Sequence, residues 1–330
     1  MNKIIPRNLG CLRDTKDVRD RQYVDVMGAM PPDMPSFEVG YDVEERFGAL
    51  KDHPQGGAYN CVGEGSSQDI NMSIKIVTGK NVVTSPRDIY SQIFLPNGGS
   101  SPREAYRLLK NIGVCEDRFL PTRPDGQYLT EQFARKRDDL LAKPVYWKID
   151  SYYSILSNNI AALTQAIFTN NGCGGAYFPR NGQMGHFIFF RGYGIRNGRY
   201  ALKYRDSYEP FAKWICRDGN NNYYLQDGTP IDLAGIWTAF PHKDWPIYKK
   251  KEVREEMLRA VWCAYPDLRA AFPPPKFYSP QNPNYSRADW ARDHYDEFIE
   301  RFEKIIPYPQ RSFIDSIKMI WKNFTKNLFG

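Results

Sequence analysis

The first 140 residues carry the apolar spacing and end signals of helices. A helix is predicted over 61–79, because it follows the Gly56-Gly57 turn and stops at Gly79, a residue that favours helix ends. Ser85-Pro86 provides a cap and a first-turn proline for a second helix. Ser101 and Glu104 form a capping box that opens a third helix, which ends at Gly113. Its predicted apolar face comprises Ala105, Leu108, Leu109 and Ile112.

The pattern changes after residue 140 to short runs rich in aromatic and β-branched residues. Residues 143–150 predict a strand, and residues 158–169 predict a helix. Two further runs, HFIFFRGYGI and RYALKYRDSY, flank Arg196-Asn197-Gly198. An Asn-Gly pair between such runs is a strong hairpin signal. The sequence therefore predicts an α+β fold, in which a helical half of about 50–140 precedes an antiparallel β half of about 141–245.

The two ends of the chain differ from this middle part. Residues 1–49 form an irregular N-terminal segment, in which Pro31, Pro32 and Pro35 predict a linker. Residues 246–330 predict a helical extension with helices at about 252–264, 287–305 and 311–329, interrupted by three prolines at 273–275. The last helix has an aromatic and aliphatic stripe flanked by lysines. We interpret it as a surface that packs on the core or docks a protein partner, in preference to one that lies on a membrane.

Composition narrows the class of protein. Hydrophobic residues make up 42% of the 330 residues and charged residues 25%, which is typical of a globular domain. The net charge of +7 is spread along the chain, so we expect no nucleic-acid partner. The six cysteines include no CxxC pair, and no long apolar run indicates a leader or a transmembrane segment. We therefore expect no metal and no other cofactor, and a location in the cytoplasm or in a virus particle.

A set of candidate catalytic residues lies around the first helix and the hairpin. Cys61 begins the helix, where the partial positive charge favours a thiolate, and Gln55 provides an amide donor six residues earlier. Antiparallel pairing brings His186 near Asp206, and an acid beside an imidazole orients it. Taken alone, these residues leave catalysis as the minority interpretation, since a lone cysteine or histidine is usually structural.

Several motifs resemble those of the papain-like cysteine peptidases, and they occur in the same order along residues 8–240. The motifs are Gln55-Gly56-Gly57-Ala58-Tyr59-Asn60-Cys61, Asn97-Gly98-Gly99, Gly113-Val114-Cys115-Glu116, Gly185-His186 with Gly192-Tyr193, and Asp206-Ser207-Tyr208, where the family usually has Asn-Ser-Trp. Upstream, Gly10-Cys11-Leu12-Arg13-Asp14 and Arg19-Asp20 are similar to bacterial or phage members that lack a propeptide.

This resemblance implies a papain-like domain over 1–245 that hydrolyses peptide bonds. Cys61 would be the nucleophile, His186 the base, Gln55 an oxyanion donor and Asp206 the orienting acid. Gly98 and Gly99 would bind the backbone of a peptide or protein substrate. The sequence departs from the family pattern at Ala58 and Val62, and Glu64 would oppose a thiolate if it faced the site.

Two alternatives to peptidase activity remain open. A weakly active or inactive papain-like domain would serve as a structural or docking component of a larger assembly, such as a virion. An amidase or transferase of the transglutaminase-like or cell-wall type also places its Cys before its His and its His before its Asp. The 125 residues from Cys61 to His186 fit best the papain-type spacing of roughly 130.

Overall fold

The computed structural model describes residues 9–122, 130–136, 145–180, 182, 184–242 and 247–248. The predicted helices at 252–264, 287–305 and 311–329 lie outside these residues, as does the predicted domain boundary at 245. The described helices are α1 Val43–Phe47, α2 Cys61–Thr78, α3 Pro86–Ile93, α4 Pro102–Asn111, α5 Glu131–Arg135 and α6 Ile160–Thr169, with a short 3₁₀ helix at Tyr23–Asp25.

The described strands are antiparallel, and most belong to one sheet. Strands β4, β5, β6, β7, β8 and β9 pair in a closed ring, because β5 pairs both with β4 and with β6. β1 pairs with β5 and β3 with β9, while β2 and β10 form a separate pair. The strand bounds are β1 Tyr41–Asp42, β2 Val145–Tyr146, β3 Ile149–Ile155, β4 Cys173–Pro179, β5 His186–Arg196, β6 Arg199–Arg205, β7 Ala212–Arg217, β8 Tyr223–Leu225, β9 Pro230–Pro241 and β10 Ile247–Tyr248.

The predicted helix ends form as the local signals require. Gly79 has a left-handed φ of 69° and ends α2. The hydroxyls of Ser85 and Ser101 accept hydrogen bonds from the backbone N–H of Asp88 and Glu104, which caps α3 and α4. The sequence therefore predicted these three helices correctly.

Three local predictions were wrong. Ile112 is exposed, because α4 ends at Asn111 and the chain turns away from the buried face formed by Ala105, Leu108 and Leu109. The strand predicted at 143–150 is divided between β2 and β3, and β3 continues to Ile155. The prolines at 31, 32 and 35 do not form a linker, because Met34 and Phe37 pack on the core beside them and the hydroxyl of Tyr193 donates to the Pro35 carbonyl.

Helix α2 runs through the centre of the fold and packs on the sheet and on other helices. All of its first fourteen residues are buried, including the polar ones that begin at Glu64. One apolar cluster joins α2 and α4 to the face of β4, β5 and β9, and another fills the space between the sheet and α6. The N-terminus of α2 is thereby fixed beside the first residues of β5, where His186 lies.

Candidate active site

Cys61 is the first residue of α2, and its side chain is fully buried. The helix brings the aligned N–H groups of its first turn to this residue, a setting that favours negative charge. Upstream, Gly56 has a φ of 70°, a conformation that glycine adopts without strain. The chain therefore turns tightly just before it enters the helix at Cys61.

His186 and Asp206 form a buried pair, as the hairpin predicted. Nε2 of His186 lies 2.7 Å from Oδ1 of Asp206, and both side chains are 0% exposed. The backbone N–H of Tyr208 also donates to Oδ1 of Asp206 at 3.1 Å. Because Asp206 occupies Nε2, Nδ1 is the ring nitrogen left for the thiol of Cys61, and it has no hydrogen bond to nitrogen or oxygen.

The protonation of His186 depends on three effects. Burial lowers its pKa, but the charge and hydrogen bond of Asp206, together with Cys61, outweigh burial and raise the pKa to about 9. The imidazole is thus charged at neutral pH, and a cationic ring next to a thiol stabilises the thiolate. Tyr177 and Tyr208 flank the ring, with ring centroids 5.5 and 5.6 Å from it.

Gln55 lies in the same buried region and connects the two halves of the fold. Its Oε1 accepts from the Ser207 hydroxyl at 2.8 Å, and its backbone N–H donates to the Ser207 carbonyl at 2.9 Å. Its side-chain amide also donates to the carbonyl of Ala58. The amide is thus held in one orientation, in the loop that leads to Cys61.

Gly98 and Gly99 form a tight turn beside this region, with φ values of 88° and 75°. The backbone of Gly99 is already paired, since its N–H donates to the hydroxyl of Tyr90 on α3 and its carbonyl accepts from the N–H of Leu95. The next residue, Ser100, instead presents its backbone N–H and carbonyl to another segment of the chain.

That segment is the strap, residues 9–22, which crosses between the two halves. The N–H of Ser100 donates to the Gly10 carbonyl at 2.8 Å, and the N–H of Leu12 donates to the Ser100 carbonyl at 3.0 Å. Cys11 forms two backbone hydrogen bonds, of 3.0 and 2.8 Å, with Gly185 on the opposite side. Gly185 directly precedes His186, and Ser100 directly follows Gly99, so the strap lies where the sequence predicted that substrate backbone binds.

Side chains anchor the strap further along. One carboxylate oxygen of Asp14 accepts from the Ser101 hydroxyl, and the other accepts from Trp237 Nε1 at 2.9 Å. Arg13 forms an ion pair with Asp232 and lies over the ring of Phe178. Asp20 accepts from Arg103 at 2.8 Å.

The sequence did not reveal the basic partners of the two buried acids in this region. Glu64 is paired with a basic side chain, because its Oε2 lies 2.9 Å from Nδ1 of His53. Nζ of Lys213, on β7, donates to Oδ2 of Asp206 at 2.7 Å. Neither His53 nor Lys213 belongs to a motif, so only packing identifies them. The described residues contain no cluster of His, Cys, Asp or Glu able to hold a metal ion.

Comparison with known proteins agrees with this arrangement at the level of the fold. No protein-family model and no curated protein matches the sequence. Among solved structures, a procathepsin B from Trypanosoma congolense aligns over 72% of this chain and 87% of that chain, with a TM-score of 0.54 and 12% identity.

The fold is papain-like. Xylellain, a cysteine protease from Xylella fastidiosa, aligns over 73% of this chain and 100% of that chain, with a TM-score of 0.49 and 17% identity. A cysteine protease of Carica candamarcensis, in complex with E-64, aligns over 62% and 99% of the two chains, with a TM-score of 0.45 and 18% identity. The statement about the fold rests on the likeness to the procathepsin B, whose TM-score is 0.54, and at 12% identity that likeness concerns the fold alone. Among the described helices, none has the length and apolar character needed to span a bilayer.

Proposed function

We propose that this protein is a cysteine peptidase whose substrate cleft is closed by its own strap. The observation that carries the proposal is the buried set of Cys61 at a helix N-terminus, His186, and Asp206 bonded to the far nitrogen of the imidazole. A cysteine, a base and an orienting group in this order form the relay of thiol hydrolases.

In this proposal, the thiolate of Cys61 attacks the carbonyl carbon of a peptide bond, and the carbonyl electrons move onto oxygen. The backbone N–H of Cys61 and the amide of Gln55 stabilise that oxyanion. The imidazolium of His186 gives its proton to the departing amine, leaving a thioester on Cys61. Water then adds to the thioester while His186 takes a proton from it. The adduct collapses, which releases the acid and restores the thiolate of Cys61 beside the imidazolium of His186.

The substrate side of the proposal rests on the strap. A peptide that enters the cleft would replace Gly10, Cys11 and Leu12, and would take over their backbone hydrogen bonds with Ser100 and Gly185. Such bonds do not depend on side chains, so they suit a peptide or protein substrate in extended form. Catalysis therefore requires that the strap leave the cleft.

A glycine substitution in the strap tests the proposal. A Cβ on residue 10 would overlap the carbonyl of Tyr59, so Gly10→Ala should displace the strap. We expect a peptidyl vinyl sulfone to label Cys61 at least about tenfold faster in Gly10→Ala than in the parent protein, the equivalent of about 1.4 kcal/mol of lost strap binding. Gly28→Ala is the matched control, because a Cβ at position 28 meets no atom within 4 Å.

Two further variants define the outcome. Replacing His186 by Ala in the Gly10→Ala background should abolish both peptide labelling and cleavage of casein, since no other group supplies the base. Cys61→Ser should remove the label from the protein. Suppose that folded Gly10→Ala reacts at Cys61 with iodoacetamide, yet neither binds the peptide electrophile nor cleaves casein. The peptidase proposal would then be wrong, although the strap would have opened.

A further inference from the structure

Lys213 is a buried cation in direct contact with the acid that holds His186. The residue is 4% exposed, and its Nζ bonds Oδ2 of Asp206 at 2.7 Å, while Oδ1 of the same carboxylate bonds His186. The carboxylate thus connects the imidazole to the lysine by its two separate oxygens.

The backbone between β6 and β7 sets this contact. The N–H of Asp206 donates to the carbonyl of Phe211 at 2.7 Å, which closes the turn that follows β6. Tyr204 pairs with Lys213 across the two strands. Lys213 is therefore placed under Asp206 by the sheet and the turn, and its position does not depend on the flexibility of a long side chain at the surface.

The charge of Lys213 matters because Asp206 is buried. An isolated carboxylate at this depth would be costly to keep charged, and its full negative charge would act on the imidazole. Burial raises the pKa of Asp206, but His186 and Lys213 together outweigh it and lower the pKa. With Lys213 bonded to its other oxygen, the carboxylate presents less negative charge to His186 than an isolated carboxylate would, although its charge still stabilises the imidazolium.

We propose that Lys213 is a positioning residue of the site, which partly balances the charge of Asp206 and so moderates the charge that the carboxylate presents to His186 while it orients the ring. The inference uses the proposed function only to give His186 its role, and the measurement below needs no enzymatic activity. Further titratable groups act on this cluster, and they are the same in the parent and in every variant compared below. They are Cys61 of α2, Tyr177 of β4, Tyr204 of β6, Tyr208, Glu64 of α2 and Asp227.

The test is the titration midpoint of the His186 ring, measured by NMR of the full chain with ¹⁵N-labelled histidine and assigned with a His186→Gln sample. Lys213→Met keeps the length of the side chain and removes the charge. We expect the midpoint to rise by about one pH unit, because one nearby charge shifts a pKa by about one to three units. Asp206→Asn should lower it, since Lys213 then acts on the ring unopposed.

The double variant Asp206→Asn/Lys213→Met should have a midpoint between those of the two single variants, and nearer to the parent than that of Asp206→Asn. It should also unfold at a higher denaturant concentration than Asp206→Asn, which leaves Lys213 buried without its acid. Lys213→Arg retains the charge and should leave the midpoint close to that of the parent. Lys203→Met is the matched control, because Lys203 lies on the neighbouring strand but forms ion pairs with Asp42 and Glu45 instead.

Two results would overturn the inference. If Lys213→Met lowers stability but leaves the His186 midpoint unchanged, Lys213 is a structural residue only. If the midpoint falls, the balance of charge is the reverse of the one proposed. Should Lys213→Met fail to fold, the same comparison is made between Asp206→Asn and the double variant, where loss of the lysine must again raise the midpoint. A protein that shows these shifts but never labels at Cys61 would contradict the proposed function and leave this inference standing.

Discussion

Glu64 and Asp206 are two buried carboxylates near Cys61 and His186, and each bonds a basic side chain. Glu64 also accepts from Asn60, one turn earlier in the chain, at 3.3 Å. Its main partner, His53, lies in the segment before Gln55 and is also 3.8 Å from Asp117. The negative charge of Glu64, next to the proposed nucleophile, is thus balanced by His53 from outside the helix. The first turn of α2 can therefore contain an acid whose charge does not oppose a thiolate at Cys61.

The His53–Glu64 pair predicts a pH-dependent contribution to stability. Burial lowers the pKa of His53, but Glu64 and Asp117 outweigh burial and raise it to about 10. A raised histidine pKa stabilises the folded state fully below the unfolded value of about 6.5, and the effect is lost as pH rises to about 10. We expect the unfolding free energy of the parent to exceed that of His53→Gln. The difference should be largest below pH ~6.5 and should shrink toward pH ~10. Urea unfolding across this range measures the difference, and a constant gap would contradict the role given to His53.

The sequence could predict Cys61, His186 and Asp206 as members of one candidate site, because each lies at a local signal. The signal is a helix start for Cys61 and an end of a hairpin strand for His186 and Asp206. His53 and Lys213 carry no such signal. Lys213 reaches Asp206 only because the turn after β6 has a particular length, and His53 reaches Glu64 only through the packing of its loop on α2. The same packing bears on Asp206→Asn: an amide oxygen can still accept from the imidazole, but the change leaves the buried Lys213 without its acid.

The hairpin of β5 and β6 contains an irregularity on which the site depends. Arg196 pairs with Arg199 and Tyr193 with Leu202, but an extra residue, Arg191, shifts the pairing beyond Gly192. Side chains alternate between the two faces of a strand, so a regular hairpin from the same Asn-Gly turn would place His186 and Asp206 on opposite faces. The sequence predicted the hairpin and the proximity of its ends, but the bulge that aligns the two side chains has no sequence signal.

The bulge is held by an ion-pair network from α1. Glu44 binds both Arg191 and Arg205, with Nη1 of Arg205 at 2.7 Å, and these side chains are largely buried. Glu44→Gln should therefore lower the unfolding free energy by about 3 kcal/mol, the typical cost of breaking a buried pair. The adjacent Glu45 is 73% exposed and pairs with Lys203. Glu45→Gln should therefore change the unfolding free energy by no more than about 0.5 kcal/mol. Equal losses in the two variants would show that the network does not fix the bulge.

At the scale of the molecule, the thiols differ in burial, and the proposed nucleophile shares a buried cluster with the strap. Cys11 and Cys61 are both fully buried, and they pack in the same cluster. Cys173 is equally buried, but in the core between the sheet and α6. Cys216 on β7 is partly exposed. The thiols therefore differ in how much of the fold must open before a reagent reaches them.

This difference predicts an order of labelling by iodoacetamide in the native parent protein. Cys216 should react first, Cys11 and Cys61 should follow together when the strap leaves, and Cys173 should react last, because local opening costs less free energy than global unfolding. Peptide mass spectrometry over a time course measures each rate. Labelling of Cys61 at the rate of Cys173 would mean that the strap separates only when the whole fold does.

The strap also differs from any incoming peptide in that it belongs to the same chain. A tethered segment of this kind competes at an effective concentration on the order of millimolar, whatever the concentration of the protein. A few backbone hydrogen bonds thus suffice to keep free peptides at micromolar levels out of the cleft. A single cut in the chain between the strap and β1 would abolish that advantage at once, because the released segment would be diluted to the concentration of the protein itself.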